Sequence, residues 1–380
     1  MTTWFSATAV LPQLRSEFDI GALQSSLFTS SVLLGFVLGT VTSAVFGLAD
    51  RIEPRRFWAA SAIIAATANI LILVVPIDGV VVILLRLITG ICMAGIYPIG
   101  MKLMVGWAPG RTGLGLAWLV GMLVLGTALP HALHGISMAG MFDLPWASGI
   151  WGASLLAMLA GLLIWRLGEA PQVRASKRRA TAARAGLDFG VFTIPGYRRA
   201  AGGYFGHMWE LYTLWALLPL LLASAVPQAS PVALALGSFA LIAIGGPGCW
   251  LGGWLSQRIG SRHVAMLGLA GSGTCCLIYP WITALPAGAT LAFLGLWSAL
   301  AVVDSAHFSA LSALAVPTQR LGTALTLQNA TGFGISVLSL VLLVPVWPLL
   351  EHWIAWLLLP GPLAGLWLIR QPITDTSEAT

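Results

Sequence analysis

Four ionisable side chains lie inside long apolar runs of the sequence: Arg86, Lys102, Glu210 and Asp304. A charge surrounded by apolar residues is costly, so each of the four is a candidate for a functional role. Burial disfavours the charged form of a carboxylate, so a buried Glu or Asp can take up and release a proton. We predict Glu210 as the main proton-carrying group and Asp304 as the second.

Two His residues accompany the carboxylates. His207 lies three residues before Glu210, and His307 lies three residues after Asp304. Residues with this spacing share one face of a helix. Either each His adjusts the proton affinity of its carboxylate neighbour, or the two faces meet and form a divalent-metal site. We predict all four as proton-coupling residues, and we predict no resident metal ion or cofactor.

A second set of side chains has the chemistry to bind a small polar solute. Arg86 and Lys102 supply positive charge, but they are 16 positions apart on one predicted helix. That spacing is roughly 24 Å of helix rise, so the two cannot hold the same small ligand at once. The aromatic and amide candidates are Trp4, Tyr97, Trp209, Tyr212, Gln328 and Asn329.

The composition of the chain determines which elements position these residues. Of 380 residues, 58% are hydrophobic and only 8% are charged. Soluble domains carry roughly 25% charged residues, which excludes a soluble globular fold. A transmembrane helix needs about 20 apolar residues, so the chain has room for about a dozen. We predict a partial span at 1–14 and full spans at 24–48, 57–77, 80–107, 113–137, 147–167, 200–224, 231–256, 264–285, 288–315, 321–346 and 350–369.

The distribution of basic residues predicts the orientation of the spans. Sixteen of the 19 Lys and Arg residues fall on one side. By the positive-inside rule this side is cytoplasmic, so we predict an inner-membrane protein with both termini in the cytoplasm. The charges are spread over several loops and do not form one basic face, so the net charge of +6 does not indicate nucleic-acid binding.

The sequence repeats itself at an offset of 207 residues. Arg51 and Arg55, for example, match Arg258 and Arg262. We therefore predict two parallel six-helix bundles. The first spans 1–167 and the second 200–370, with a basic linker at 168–199 and a cytoplasmic tail at 371–380. The counterpart of the seventh span would start before Met1, so we expect the first helix to be short or truncated.

The loop after the second predicted span resembles a family signature. It reads Gly47-Leu-Ala-Asp50-Arg51-Ile-Glu-Pro-Arg55-Arg56 and resembles the Gly-x-x-x-Asp-Arg-x-Gly-Arg-Arg loop of the major facilitator superfamily. A second copy begins at Gly253 and has Gln257 in place of the Asp. The fourth predicted span adds Arg86-Leu-Ile-Thr-Gly, which is similar to the Arg-x-x-x-Gly element of that family.

This resemblance implies an all-α fold of twelve transmembrane helices in two six-helix halves, with transport by alternating access. It also implies that the seventh and tenth helices line a central cavity. The stretch from Gly206 to Tyr212 is similar to uncharacterised members labelled nitrate or nitrite porters. Nitrate porters hold the anion with Arg residues in the second and eighth spans. Neither span has an Arg in its core here, so we do not predict nitrate transport.

Asp50 is the strongest candidate for a conformational latch. A carboxylate at a helix end can contact Arg residues and helix ends of the other bundle, and that contact exists only while this side is closed. We predict Asp50 as the latch, together with Arg51, Arg55, Arg258 and Arg262.

We predict a secondary transporter, monomeric in the lipid bilayer, that moves a small anionic or zwitterionic solute with proton coupling. The alternatives are proton-driven efflux of lipophilic cations, divalent-metal transport, and a membrane sensor that does not transport. The sequence shows no nucleophile and base pair and no nucleotide-binding loop. We therefore predict neither an enzyme nor direct use of ATP.

Overall fold

A computed structural model of the chain describes residues 2–4, 6, 14, 17, 18, 20–140, 146–167 and 189–370. The predicted tail at 371–380 and most of the predicted linker, residues 168–188, lie outside the described residues. Of the predicted first span, Thr2 to Trp4, Ser6 and Leu14 are described, and all of them are helical.

The described chain is helical throughout, which confirms the predicted all-α fold. The helices are α1 (Ala22–Phe46), α2 (Leu48–Arg51), α3 (Pro54–Leu71), α4 (Val80–Trp107), α5 (Thr112–Met138), α6 (Trp146–Arg166), α7 (Pro195–Ala225), α8 (Pro231–Ala243), α9 (Gly245–Ile259), α10 (Ser261–Ile282), α11 (Ala287–Val303), α12 (Ser305–Ala315), α13 (Leu321–Leu343), α14 (Trp347–Leu350), α15 (Ala355–Leu358) and α16 (Pro360–Arg370).

Most of these helices are suited to a membrane. Within the described ranges, nine helical runs are long and apolar enough to cross a bilayer. The last of them, Thr318–Arg370, has 53 residues and is long enough for two crossings. The polypeptide therefore forms a multi-pass membrane protein.

The helix bounds repeat at the same offset as the sequence. Pro54 and Val80 begin α3 and α4, and Ser261 and Ala287, each 207 positions later, begin α10 and α11. The two halves thus share one backbone plan. The second half departs from it by interruptions, because its eighth span is divided into α8 and α9 and its tenth span breaks at Asp304 between α11 and α12.

The seventh span starts earlier than predicted. Helix α7 begins at Pro195, preceded by a 3-10 turn at Phe189–Thr193, whereas the sequence placed the start at 200. Proline is favoured at the first position of a helix because its fixed φ angle suits the helix and its missing N–H is not needed there. Arg198 and Arg199 consequently belong to the helix and not to the linker.

The exposed Arg residues of the described chain gather at one end of the bundle. Arg56, Arg111, Arg166, Arg258 and Arg370 lie at helix ends that meet at the level of Asp50. We call this the Asp50 end. The opposite end holds the last residues of α7 and α10, the first residues of α11 and the connection from α13 to α16.

The halves meet along two seams. Helix α5 packs against α8 and α9, and α1 packs against α13. Phe36 and Phe333 meet across the second seam with ring centroids 4.5 Å apart, and Trp118 stacks on Trp250 across the first at 4.8 Å. Aromatic pairs at these separations attract beyond the area they bury. Aromatic contacts therefore link the halves along both seams.

Close backbone approach between α7 and α16 depends on glycine. A Cβ on Gly206 would meet the carbonyl oxygen of Gly361 and would lie 2.7 Å from the backbone nitrogen of Gly365. Both obstacles are backbone atoms and cannot rotate away. The outer helix α16 therefore docks on α7 only because these positions have no side chains.

We expect Gly206→Ala to lower the stability of the purified protein by about 1–3 kcal/mol, because one methyl group forces the helices apart. Gly334→Ala is the matched control, since a Cβ at Gly334 meets nothing within 4 Å. The measurement is the thermal unfolding midpoint in detergent. Equal midpoints for the two variants would contradict this packing.

Candidate functional site

The Asp50 carboxylate receives four hydrogen bonds. Its Oδ1 lies 2.6 Å from Nζ of Lys102 and 2.8 Å from the backbone nitrogen of Gly322. Its Oδ2 accepts from the backbone N–H and from the hydroxyl of Thr323, each at 2.7 Å. Lys102 belongs to the first half and the other two residues to the second. One buried carboxylate thus joins the halves.

Local backbone geometry places the Asp50 side chain next to Lys102, Gly322 and Thr323. Gly47 has a φ of 60°, which ends α1 and lets the chain turn directly into α2. Asp50 then faces the first turn of α13, where backbone N–H groups have no partner within the helix. The positive end of the helix dipole also favours a carboxylate there. A side chain on Gly322 would collide with Asp50, so this position requires glycine.

Lys102 is part of this contact. Besides Asp50, its ammonium group donates to the carbonyl of Ala49 at 2.7 Å, and its side chain is only 11% exposed. Its donors are directed at the loop and not at a central cavity. We therefore correct the prediction of Lys102 as a solute ligand and assign it to the latch.

Three of the Arg residues predicted for the latch, Arg55, Arg258 and Arg262, have contacts within their own halves. Arg55 pairs with Glu53 and donates to the carbonyl of Trp165 at 3.3 Å. Arg258 stacks on the ring of Trp254, 4.0 Å from its centroid.

Arg262 donates to the carbonyl of Ile369 at 3.1 Å, and Arg51 lies exposed on α2. Gln257, the second-half counterpart of Asp50, is also exposed. The Asp50 contact is therefore not repeated in the second half.

Arg86 connects three spans of the first half. It is fully buried and donates to the carbonyls of Phe28 at 3.2 Å, Thr3 at 2.9 Å and Trp4 at 2.5 Å. These carbonyls belong to the first and second spans, while Arg86 lies on the fourth. The guanidinium group is engaged by the backbone, which corrects its prediction as a solute ligand.

Asn69 forms a second polar connection in the first half that the sequence analysis missed. Its side chain bonds the hydroxyls of Ser6 at 2.8 Å and Ser154 at 2.9 Å, and donates to the carbonyl of Ile150 at 3.3 Å. The signal that could have found it is a lone amide inside an apolar run. Asn69 and Arg86 together bind the described residues of the first span.

Glu210 lies inside the second bundle in a pocket of donors. It accepts from the hydroxyl of Ser272 and the indole N–H of Trp297, each at 2.8 Å, and from the thiol of Cys276 at 3.4 Å. These three residues lie on α10 and α11. The carboxylate therefore ties α7 to two neighbouring helices and does not pair with His207.

Asp304 pairs with His207 instead. Nδ1 of His207 lies 2.9 Å from Oδ1 of Asp304, and both side chains are about 1% exposed. Apart from this ion-pair contact, neither carboxylate oxygen has a hydrogen-bond partner among the described residues, and neither has Nε2 of His207. Asp304 also marks the break in the tenth span, opposite Gly268 of α10. This contact joins two spans, and it does not join the His and carboxylate that are three residues apart on one helix.

His307 lies apart from the other three predicted proton-coupling residues. Its Nδ1 is 3.3 Å from the hydroxyl of Ser261, near Gly113 at the start of α5. Among the described residues, no three His, Cys, Asp or Glu side chains converge in a group that could hold a metal ion. The structure thus corrects the alternative in which the two His and two carboxylates form one metal site.

The remaining predicted solute ligands divide into three groups. Trp4 and Tyr212 contact Phe333 at centroid distances of 6.0 and 5.1 Å, and buried Tyr97 lies near Tyr212. These aromatic residues lie where the halves meet.

Trp209 is half-buried beside Gly361 and donates its indole N–H to the carbonyl of Leu357 at 2.9 Å. Asn329 joins α13 to α7 through the hydroxyl of Tyr204 at 3.2 Å. Gln328 is fully buried, and neither atom of its amide has a partner among the described residues.

The family model of the Major Facilitator Superfamily matches residues 1–367. The chain belongs to the major facilitator superfamily. Membership confirms the resemblance inferred from the Asp50 loop and indicates a transporter and not an enzyme.

Two solved structures of this superfamily share the fold. The proton:xylose symporter XylE bound to 6-bromo-6-deoxy-D-glucose has a TM-score of 0.74 at 14% identity, covering 97% of this chain and 90% of XylE. The transporter FucP in the outward conformation has a TM-score of 0.66 at 14% identity, covering 97% of this chain and 94% of FucP. No curated protein sequence matches the chain. At this identity the structures establish the superfamily fold alone.

We expect Arg86→Met to destabilise the protein by about 1–3 kcal/mol, because the first span loses its charge-assisted hydrogen bonds. The control is Arg111→Met, which removes an exposed guanidinium group at the Asp50 end. Thermal unfolding of the purified proteins measures the effect. If Arg86 bound the solute instead, the variant would keep its unfolding midpoint and lose only the stabilisation by ligand.

Proposed function

We propose that the protein is a proton-coupled secondary transporter of a small polar solute, neutral or zwitterionic, that works by alternating access. The observation that carries this proposal is the buried pair of Asp304 and His207 at the break in the tenth span. A proton can move on or off this pair while the helix bends at the same residue. Gln328 is the proposed solute contact.

Asp304 suits proton exchange better than Glu210 does. Glu210 is surrounded by three donors, so its carboxylate is held as an acceptor and its protonation would disrupt all three contacts. Asp304 has a titratable partner and carboxylate oxygens that lack other donors. Loss of the proton from this pair therefore breaks few contacts. We assign proton exchange to Asp304 and His207, and a positioning role to Glu210.

The proposed solute class depends on which of the buried cationic side chains already have partners within the protein. Arg86 is bound by backbone carbonyls and Lys102 by Asp50. With both cations occupied, the expectation of an anionic solute loses its basis. The amide of Gln328 is buried without a partner, and such groups in native proteins call for an explanation such as a bound ligand or water. An amide recognises hydroxyl, carbonyl or amino groups, which fits a neutral or zwitterionic solute.

The Asp50 contact supplies the gate of this transporter. It closes the end of the bundle where the exposed Arg residues gather, which the positive-inside rule places in the cytoplasm of an inner-membrane protein. Opening this end must pull Asp50 away from the first turn of α13. We propose that this exchange accompanies the inward-facing step of a monomer.

Efflux of lipophilic cations remains the second candidate function. It is favoured by the aromatic rings of Trp4, Phe36, Phe333 and Tyr212, which form a continuous group across the seam between α1 and α13. Aromatic faces attract organic cations. A membrane sensor would bind ligand without any flux, so one transport assay separates the three functions.

We expect Asp304→Asn to abolish solute-driven proton movement and to leave folding intact. The measurement uses proteoliposomes that contain a pH-sensitive dye, exposed in turn to neutral sugars, zwitterionic amino acids and lipophilic cations. Any solute that moves protons through the unmodified protein should move none through the variant.

Glu210→Gln is the comparison, because we expect it to lower stability and keep coupled proton movement. Coupling that survives Asp304→Asn and is lost with Glu210→Gln would reverse the assignment. A response limited to lipophilic cations would support the efflux function.

We expect Asp50→Asn to shift the protein towards a conformation that is open at the Asp50 end, by roughly tenfold or more, because a charge-assisted contact is lost. Spin labels on Cys substituted at the exposed positions Arg56 and Gln319 report the distance between the halves, since the four native Cys residues are buried. Gln257→Asn, at the exposed counterpart position, should leave the distances unchanged. Identical distances in all three proteins would contradict the latch.

A further inference from the structure

A cavity of about 210 Å³ lies at the opposite end of the second half, away from the Asp50 latch. Its walls come from the ends of α7 and α10, the start of α11 and the connection that leads from α13 to α16. The lining includes the side chains of Ser224, Tyr279, Thr283, Thr290, Trp347, Glu351 and His352. The cavity is several times larger than the space that one water molecule needs.

Three hydroxyl groups of the lining can act only as acceptors towards a ligand. Ser224 donates its proton to the carbonyl of Leu220 at 3.0 Å. Thr283 donates to Pro280 at 2.8 Å, and Thr290 donates to Ile282 at 3.2 Å. A hydroxyl has one proton to give, so the remaining lone pairs of these oxygens are free to accept. The cavity therefore offers three neutral acceptors to a donor.

Glu351 adds a negative charge to these acceptors. Within the described residues the structure gives its carboxylate no ion-pair or hydrogen-bond partner, and the side chain is exposed. It is also the one described residue other than glycine with a positive φ, at 45°. A backbone conformation of this kind is costly and persists only where the surrounding structure enforces it. The fold thus holds Glu351 at the rim of the cavity.

The wider surroundings also favour a cation. The exposed Arg residues of the described chain lie at the Asp50 end, while Glu17, Asp78 and Glu351 are exposed at the opposite end. Tyr279 and Trp347 add aromatic surfaces to the lining, and aromatic faces attract cations. Among the described residues, a cation at this end therefore meets exposed carboxylates and no exposed Arg side chain, with His352 as the one basic group of the lining.

We propose that this cavity is a binding site for a small primary ammonium group. Such a group has three N–H donors, matching the three hydroxyl acceptors, and a positive charge that pairs with Glu351. The group belongs either to a free amine or to the ethanolamine headgroup of a phospholipid, since the site lies at a membrane surface. The lining contains none of Gln328, Asp304 and His207, so the site is separate from the proposed solute contact and from the proposed proton pair.

Isothermal titration with ethylammonium chloride tests this site, using the full chain in phosphatidylglycerol nanodiscs. We expect saturable binding that weakens at least about tenfold in Glu351→Gln, which removes the charge and keeps the shape. Thr283→Val should weaken binding severalfold. Glu17→Gln, the same change at another exposed position of this end, should have no effect. Tetramethylammonium, which has the charge but no N–H donor, should bind more weakly.

The site would be refuted by the absence of saturable binding, by equal losses in Glu351→Gln and Glu17→Gln, or by tetramethylammonium binding as well as ethylammonium. Nanodiscs that contain phosphatidylethanolamine distinguish the two sources. A lower apparent affinity for ethylammonium in those discs identifies the headgroup as the occupant, and an unchanged affinity identifies a free amine. Coupled proton movement should persist in Glu351→Gln, so failure of this site and failure of the transport proposal are distinguishable.

Discussion

A polar side chain in the interior of a bilayer has no water to bond, so its partners must come from the protein or from a ligand. The long polar side chains Arg86 and Asn69 of the first half meet this demand within the protein, since Arg86 is matched to backbone carbonyls and Asn69 to hydroxyls. Among the described residues of this half, the buried groups without a partner are the hydroxyls of Thr3, Ser31 and Ser43. The second half meets it only in part. Glu210 is fully bonded, while Asp304 and Gln328 are buried with few or no partners. We interpret the first bundle as a scaffold whose Arg86 and Asn69 side chains are bonded within the protein. The second bundle retains buried polar groups that are free to bind a proton or a solute.

The two halves reach this division on one backbone plan. At the offset of 207, Asp50 corresponds to Gln257, Arg86 to Phe293 and Asp304 to Tyr97. Each charged residue that defines a role thus has an uncharged counterpart in the other half. If the repeat preserves the helix bounds and changes only the polar residues, the two bundles keep similar shapes and can still rock against each other during alternating access. The proposed scaffold and proton-exchange residues are then each confined to one half, whereas the Asp50 contact joins both halves.

The sequence was sufficient for the all-α membrane fold and the family, because hydropathy and the loop motif are local signals. It was not sufficient for the partners of charged residues. The spacing of His207 and Glu210 predicted a pair on one helix, but the rotation of α7 turns His207 towards Asp304 and Glu210 towards α10. Lys102 was misassigned because its long side chain reaches back to the loop. Such contacts depend on helix packing, which no local pattern specifies.

A short stretch of chain connects the proposed proton site to the gate. Asp304 lies between the end of α11 and the start of α12, and α12 runs to Ala315. A 3-10 turn at Thr318–Arg320 then leads directly into the first turn of α13. That first turn is where Asp50 binds. In the proposed mechanism, a change in the bend at Asp304 therefore moves α12. The far end of α12 lies close in sequence to the first turn of α13, which binds Asp50. Helix α12 also carries His307, which lies close to Gly113 at the start of α5 and to Ser261 at the start of α10. In this mechanism, proton exchange at Asp304 is coupled to opening of the Asp50 contact by the movement of one bent helix. No chain of side chains between the two sites is required.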